Sequence, residues 1–376
     1  MKAKYFLFLF VGLAFSCSSG KKSFEKGNYY SSVLQSVERL RKNPTHKKSQ
    51  ETLQEAYPLA IQYFEGVTRN MQQSDDRFKS GKMYDTYVKM NHMYDEINRS
   101  PGALSVIPNP KSYYSEINMY REQAAEERYN AGLMSMDQGT REGAKEAYNH
   151  FKRAKNYMAT YKDIDAKLEE ARWLSILKVV VDQVPVPTAQ YQISVNFFQE
   201  QLDEFLFHYS DNEFVRFFSP QDENIKEPDQ ILVVQFDDFM VGQTNNYEYT
   251  KELSRDSVVV GDVTLEDGTK KKVYGTVKAK YTEHKREVIS KGLVSMRILD
   301  GRTQQVIVHE KFPGQFTWTS LWGNFQGDER ALEKEQLAVC ANKPANPPPP
   351  QDMFVEFTKP IYSQMTSKIR SYYRNY

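Results

Sequence analysis

The stretch Gln230-Ile231-Leu232-Val233-Val234-Gln235-Phe236 is the strongest buried-strand signal in the chain. It is continuous, apolar and rich in β-branched residues, and turn-forming residues bound it, which is typical of a buried strand. Asp237 and Asp238 follow it, and we expect them to cap a loop. A sheet built around this strand would organise the C-terminal half of the chain.

Further strand and helix signals lie on both sides of this strand. The alternation of Val273, Gly275, Val277, Ala279 and Tyr281 has period two and predicts a half-buried strand. Asp300-Gly301 between two apolar runs predicts a hairpin. Strands are also predicted at 178–182, 214–218, 247–249 and 258–260, and helices at 194–207, 330–338 and from 354 onward. With a proline-rich connector at 342–350, residues 178–376 are predicted to form an α+β domain with a mostly antiparallel sheet.

Residues 24–177 follow the helical period instead. Apolar residues recur every three or four positions, and breaks fall at Asn43-Pro44, Ser100-Pro101 and Gly139. The protein is therefore predicted to be multidomain, with an all-α domain at 24–177.

This helical half resembles the tetratricopeptide-repeat (TPR) family. The resemblance lies in the glycine-then-tyrosine corners, the small residues at helix contacts and the prolines that end repeats (Gly27, Tyr29, Tyr30, Gly81, Tyr84, Ala131, Ala147, Ala171, Pro44, Pro101). The units are near 55 residues rather than 34. The resemblance implies a TPR-like solenoid whose concave face binds an extended peptide or a partner helix; the alternative is a spacer.

The first seventeen residues have the parts of a secretory signal. Lys2 and Lys4 precede an apolar run at 5–15, and the run ends at Ser16-Cys17. This ending resembles a lipobox, although Phe15 stands where most lipoboxes have a small or β-branched residue. The resemblance implies a signal peptide at 1–16, acylation of Cys17 by diacylglycerol and a further chain such as palmitate, and a tether at 17–23. An ordinary secretory signal or an uncleaved anchor is the alternative.

The residues after Cys17 indicate on which side of the outer membrane such a lipoprotein would lie. Lys21 and Lys22 occupy the positions where surface-exported Gram-negative lipoproteins carry acidic residues. The resemblance therefore implies an outer-membrane lipoprotein that faces the periplasm.

Composition narrows the function classes. The chain has 50 Lys and Arg residues against 49 Asp and Glu, so it gives no electrostatic reason to expect a nucleic-acid partner. If Cys17 is acylated, Cys340 stands alone, which leaves no cysteine pair for a disulfide or a metal cluster. We expect Cys340 to be a buried apolar side chain. Six scattered histidines offer no metal-ligand spacing, and we expect no cofactor.

The C-terminal half resembles a second group of lipoproteins. Val294-Ser295-Met296-Arg297-Ile298-Leu299-Asp300 with Thr303 and Val306-Ile307-Val308 is similar to the domain of the curli-secretion and penicillin-binding-protein-activator lipoproteins. The strand after Pro228 and the last helix fall where those families place theirs. A long insertion at 247–272 departs from the pattern.

Two sets of residues are candidates for chemistry. Asp237, Asp238, His309 and Glu310 would form the site if the protein were an envelope hydrolase acting on glycan or peptide. The acidic turn from Gly261 to Thr269 could hold calcium, but it lacks the ligand periodicity of a calcium loop and favours a hairpin tip.

Two surface features are candidates for contacts or modification. Asp256-Ser257-Val258 resembles an O-glycosylation sequon of some Gram-negative systems, with Ser257 as the acceptor. Phe316, Trp318, Trp322 and Phe325 lie among glycines, and we expect a loop there that either anchors a partner or caps the core.

Taken together, the sequence predicts a periplasm-facing outer-membrane lipoprotein without catalytic activity. Its predicted role is a scaffold or accessory subunit of an envelope assembly or secretion complex, with other envelope proteins as partners. A hydrolase, or a carbohydrate-binding module that uses the 25 tyrosines, is the alternative.

Overall fold

The computed structural model describes residues 20–182 and 192–376. The predicted signal peptide at 1–16 and the predicted acylation site Cys17 lie outside these ranges. The chain divides into two compact units, with the division after Ser175. The fold class is α+β, with a helical N-terminal region and a mixed, mostly antiparallel sheet, as the sequence predicts at this level.

Helices alone make up the described part of the first unit. They are α1 (Lys21–Glu25), α2 (Tyr29–Lys42), α3 (Lys47–Gln72), α4 (Lys79–Asn98), α5 (Pro101–Leu104), α6 (Tyr114–Met136), α7 (Arg141–Tyr157) and α8 (Ile164–Ser175). The predicted breaks at Asn43-Pro44, Ser100-Pro101 and Gly139 are confirmed, since each falls between or at the ends of helices. The repeat geometry of a TPR solenoid stays a prediction.

Capping residues explain where these helices begin, and small residues explain how closely the helices pack. Asn28 accepts a hydrogen bond from the backbone N–H of Ser31 (3.1 Å) and begins α2, and Thr140 does the same for Gly143 (3.0 Å) at α7. Between α6 and α7, Gly132 leaves room for the ring of Phe151, because an added Cβ at Gly132 would lie 2.4 Å from it. One apolar core joins α2 to α4, and a second joins α6 to α8.

The second unit is a five-stranded sheet with helices. Its elements are β1 (Leu177–Val181), α9 (Gln192–Phe207), β2 (Val215–Phe218), β3 (Gln230–Thr264), β4 (Lys270–Asp300), β5 (Val306–Gly327), a 3₁₀ turn (Glu329–Ala331), α10 (Lys334–Ala341) and α11 (Pro350–Tyr373). The strand order is β2-β1-β3-β4-β5. β1 is parallel to β2 and β3, and the β3–β4 and β4–β5 pairs are antiparallel.

The core of this unit lies between the sheet and two helices. The buried side chains of α9 and α11 pack on the inward residues of β1, β3 and β4, among them Leu232, Val234, Met296 and Ile298. In α11 the buried residues recur at helical spacing: Phe354, Phe357, Ile361, Met365, Ile369 and Tyr373. Alternate residues of β3 from Gln230 to Phe236 are buried, which confirms the strand predicted there.

The lengths of β3, β4 and β5 overturn three expectations. Asp237 and Asp238 do not cap a loop but lie inside β3, and 247–249 and 258–260 are parts of the same 35-residue strand. Residues 316–325, predicted to be a loop, lie in the 22-residue β5. Ordinary strands have about 5–6 residues, so these are exceptional. Of the turn expected at 261–269, residues 265–269 form a hairpin tip that joins β3 to β4, whereas Gly261 and Asp262 are paired within β3.

Gly314 provides a test of the contact between α11 and β5. An added Cβ at Gly314 would lie 2.2 Å from the carbonyl oxygen of Phe357 and 2.6 Å from Ile361, and backbone cannot yield as a flexible side chain can. We expect Gly314→Ala to lower the free energy of unfolding by about 1–3 kcal/mol in urea denaturation. Gly261→Ala is the matched control, because an added Cβ there meets nothing within 4 Å. Equal stability of the two variants would contradict this packing.

Candidate partner-binding arm

The most distinctive surface of the second unit is the outer part of the β3–β4 hairpin. We call residues 243–289 the arm. β5 extends along one side of it, pairing residues 316–327 with 279–290 of β4, and the end of the arm has two strands only. The arm continues beyond the part of the sheet that α9 and α11 cover. It therefore has to be held by other contacts.

A small second core supports the arm. Val277, Ala279 and Tyr281 of β4 pack with Ala331 and Leu332, and Phe325, Leu337, Val339 and Cys340 pack around them. Cys340 is half-buried in this core, and burial raises the pKa of its thiol. Cys340 was predicted to be a buried apolar side chain; it does pack against apolar neighbours, but it is only partly buried.

Two arginines fasten the arm to the segment that follows β5. Arg255 donates to the carbonyl oxygen of Leu332 (2.9 Å), and Arg330 donates to that of Val259 (2.5 Å). Asp328 fixes Arg330 in turn, and hydrogen bonds from this guanidinium lower the pKa of Asp328 to about 2. β3 of the arm is therefore joined at two points to the segment 330–332 that precedes α10.

The outer edge of β3 has a long regular stretch. β1 pairs with β3 only at 230–232, and no other described strand pairs with that edge. Register shifts fall between Met240 and Gln243 and between Arg255 and Val258, so 243–255 pairs with β4 without a bulge. Edge strands are usually protected by bulges, prolines or short length, and this stretch has none of these. It is open to pairing with another strand.

Exposed apolar side chains are concentrated on the arm. Tyr247 and Tyr249 are 53% and 60% exposed and point to the same face of β3, because they are two residues apart. Towards the tip, five more large apolar side chains are exposed: Val260, Val263, Leu265, Val273 and Tyr274. Tyr247 and Tyr249, exposed side by side on one face, are the pair best placed to contact a partner protein.

The aromatic quartet expected to form a partner-binding loop lies in β5 instead. Phe316 packs against the main core and Phe325 against the small core. Trp318 lies opposite the buried Val288 in the β4–β5 register. Two members thus contribute to packing, and the glycines that suggested a loop serve close contacts: an added Cβ at Gly323 would lie 3.0 Å from the carbonyl oxygen of Thr282.

Trp322 has the most polar surroundings of the four. Its ring stacks on His284 (centroids 5.4 Å apart, 17° between planes), and the Arg286 guanidinium lies 5.5 Å from its centre. Glu248 is 3.6 Å from His284, and Arg286 donates to Asn246 (3.3 Å). Trp322 is half-buried and fixed across three strands.

Ser257, the candidate acceptor of a glycan, lies at an irregular point of the arm. It is exposed and has a φ of 58°, at the register shift between Arg255 and Val258. Thr276 donates to the carboxylate of the neighbouring Asp256 (2.6 Å). The hydroxyl is accessible on the protein surface.

The residues of the hydrolase alternative are divided between separate contacts. Asp237 accepts a hydrogen bond from Ser295 (2.8 Å) and pairs with Lys311 (2.8 Å). Glu310 pairs with Lys368 of α11 (2.6 Å). Since Glu310 and Lys311 are successive residues of β5, these two pairs lie on opposite faces of the strand.

The other two residues of that alternative have different surroundings. Asp238 lines a separate cavity with Pro313 and Gln315. His309 lies opposite Arg297 in the register, on the same face of β5 as Lys311, and its charge helps to lower the pKa of Asp237. Within 20–182 and 192–376, no group of three His, Cys, Asp or Glu side chains is placed to hold a metal ion. No helix of these ranges is both long and apolar enough to cross a bilayer.

The outer edge of β3 is a candidate functional surface that the predicted elements do not include. The sequence does contain a signal for it, because 243–260 has neither glycine nor proline and hence no strong turn former. The polar composition of this stretch instead favours an insertion between short strands.

Comparisons with known proteins add little. No protein-family model matches the chain, and no curated protein matches it. Among solved structures, the chain is similar to a protein described as a neuraminyllactose-binding hemagglutinin homolog from Helicobacter pylori, with 10% sequence identity. The match covers 54% of this chain and 91% of that one, with a TM-score of 0.25. A score this low supports no argument about fold or function.

The ion pair of Asp237 predicts a pH dependence of stability. Hydrogen bonds from Lys311 and Ser295 hold the pKa of Asp237 below its ordinary value of 3.8. A carboxylate with a lowered pKa stabilises the fold above its unfolded-state pKa, and this contribution is lost as the pH falls through the folded-state pKa. We expect Asp237→Asn to cost about 0.5–1 kcal/mol at pH 7 and nothing at the acid end.

Urea denaturation at pH 7, 5, 4 and 3 measures this difference. Asp238→Asn is the matched control, because it removes the same charge from the adjacent residue, for which no ion pair exists among the described residues. A cost for Asp237→Asn that stays constant down to pH 3 would show that its carboxylate charge is not the stabilising group.

Proposed function

We propose that this protein is a lipid-anchored outer-membrane lipoprotein that faces the periplasm and works without catalysis. Its role is that of a scaffold or accessory subunit in an envelope assembly or secretion complex. The partner is another envelope protein, which contributes an extended segment to the outer edge of β3. The observation that carries the proposal is the bulge-free edge at 243–255, together with the exposed Tyr247 and Tyr249.

Strand addition fits this edge chemically. A partner strand would supply main-chain hydrogen bonds to an edge that has no strand neighbour in the described chain. In such complexes the main chain gives affinity, and side-chain contacts on alternate residues give specificity. Tyr247 and Tyr249 lie on alternate residues and offer large contact areas at a low entropy cost.

The charges of the edge favour selective pairing over aggregation. Glu248, Lys251, Glu252 and Arg255 lie between the two bulges and place both signs along the strand. Charged residues on an edge disfavour pairing with an arbitrary strand. A partner with complementary charges in register would be accepted, and a second copy in the wrong register would be disfavoured.

The other proposed features follow from the sequence. Acylation of Cys17 would anchor the chain close to the membrane. Residues 21–23 of the predicted tether at 17–23 lie in α1, so the folded part of the chain begins within four residues of Cys17. The Trp322 surface and the helical unit remain candidate sites for additional envelope proteins. Asp237 pairs with Lys311 and Glu310 pairs with Lys368 on opposite faces of β5, so these two carboxylates do not share one site.

The edge of β3 can be tested by site-specific photo-crosslinking in cells. A photoreactive phenylalanine derivative in place of Tyr249 should form a discrete crosslink to an envelope protein, since the side chain is 60% exposed on the edge. The same derivative in place of Phe207, a 49%-exposed residue of α9 outside the arm, is the matched control.

The crosslink should depend on the neighbouring tyrosine. We expect Tyr247→Ser to reduce its yield at least about fivefold, because truncating a central aromatic contact commonly costs more than 1 kcal/mol. A crosslink from the Phe207 position alone, or one that Tyr247→Ser leaves unchanged, would contradict the proposed binding edge.

The anchor can be tested separately. We expect Cys17→Ala to move the protein from the outer-membrane fraction to an inner-membrane or soluble fraction. It should also prevent incorporation of labelled palmitate, because both proposed lipid attachments, at the thiol and at the new N-terminus, require Cys17. Cys340→Ala is the matched control and should leave both readouts unchanged. Palmitate labelling that persists without Cys17 would contradict lipidation at this residue.

A further inference from the structure

The helical unit contains a basic and aromatic pocket that the proposed function does not use. Its lining residues come from three helices: Tyr84 of α4, Arg128 of α6, and Arg153, Asn156 and Tyr157 of α7. The volume is about 380 Å³. This is enough room for a small polar group of a ligand.

Contacts with the rings of Phe78 and His150 hold the Arg128 side chain in place. Its guanidinium carbon lies 3.5 Å from the centre of the Phe78 ring, and its Nη1 is 3.5 Å from Nδ1 of His150. The rings of Phe78 and His150 are 5.5 Å apart. The guanidinium is therefore fixed in orientation before any ligand arrives, which lowers the entropy cost of binding.

The pocket carries excess positive charge. Burial and then the nearby Arg153 lower the pKa of Arg128, and burial and then Arg128 lower that of His150. The nearest carboxylates of Arg128 are otherwise engaged. Glu127 accepts from Ser80 (2.6 Å), and Asp76 accepts from the backbone of Phe78 (2.8 Å) and pairs with Lys82. Neither arginine of the pocket forms an ion pair with any part of the chain that the structure describes.

Two tyrosines form the wall of the pocket. The rings of Tyr84 and Tyr157 meet edge to face, with centroids 5.5 Å apart. Gly81 permits this, because an added Cβ there would lie 2.6 Å from the hydroxyl oxygen of Tyr157. Asp85 also lies near enough to raise the pKa of Tyr157, after the larger effect of burial. The carboxylate of Asp85 thus acts on the tyrosine side of the pocket.

We propose that this pocket binds an oxyanion, the carboxylate or phosphate group of a ligand that packs over Tyr84 and Tyr157. Guanidinium groups bind both kinds of group through paired, charge-assisted hydrogen bonds. Arg128 and Arg153 would supply these bonds, and the amide of Asn156 would donate another. A bound anion would also reduce the repulsion between Arg128 and Arg153.

The test uses the full chain in mild detergent and two probes at constant ionic strength, with chloride as the balancing ion. The probes are inorganic phosphate and an acetylated triglutamate peptide, and isothermal titration calorimetry measures their affinities. We expect saturable binding of at least one probe. Arg153→Gln should weaken it about tenfold or more, because it removes a charge-assisted contact. Tighter binding of phosphate indicates a phosphate ligand, and equal or tighter binding of the peptide indicates an acidic protein segment.

Two further variants separate the pocket from net charge. Arg121→Gln removes one exposed arginine of α6, the helix that carries Arg128, and should bind as the wild type does. Among the described residues, the guanidinium of Arg121 donates to Asn118 alone (3.1 Å). Asn156→Ala keeps the charge and should weaken binding about threefold or more. Binding that does not saturate, or that falls equally in Arg153→Gln and Arg121→Gln, would overturn the proposal. Thermal unfolding checks that each variant is folded.

Discussion

The close contact between α11 and the sheet determines which part of the sheet of the second unit is covered by a helix and which part is left exposed. Gly292 and Gly314 allow Phe357 and Ile361 to approach the backbone of β4 and β5, because any Cβ there would overlap them. The helix starts at Pro350, and its first buried residues reach only as far as Gly242 on β3. Beyond that point the strands lack this cover and need the small core around Tyr281.

The elements that pack on α9 and α11 could be predicted from the sequence, because burial on one face leaves a pattern. Gln230 to Phe236 alternates between buried and more exposed positions, and the turn at Asp300-Gly301 joins β4 to β5 as its residues indicate. The stretch 243–257 carries no such pattern, since most of its side chains on both faces are exposed. Strand pairing alone specifies it, and pairing partners are not written in local sequence.

The candidate sites were harder to predict, for two physical reasons. Glycines near Trp318 and Trp322 indicated a loop, but Gly314 and Gly323 are there because a helix or a neighbouring strand comes too close for a side chain. In the helical unit, Arg128 and Arg153 meet only because α6 packs on α7, and nothing in their spacing along the chain marks them as neighbours. The sequence does mark Gly81 as a corner residue. It does not show that the ring of Tyr157 packs against this glycine.

The antiparallel tip of the arm also makes its length adjustable. Residues of the arm beyond Val260 lie past the contact between Arg330 and Val259, and there β3 and β4 pair only with each other. Because strand faces repeat every two residues, adding two residues to each strand would lengthen the hairpin and keep every side chain on its face. Adding a single residue to one strand would instead invert all that follows in it or require another bulge. The length of the arm, and hence the distance over which it can reach a partner, can therefore change without altering the packing of the main core.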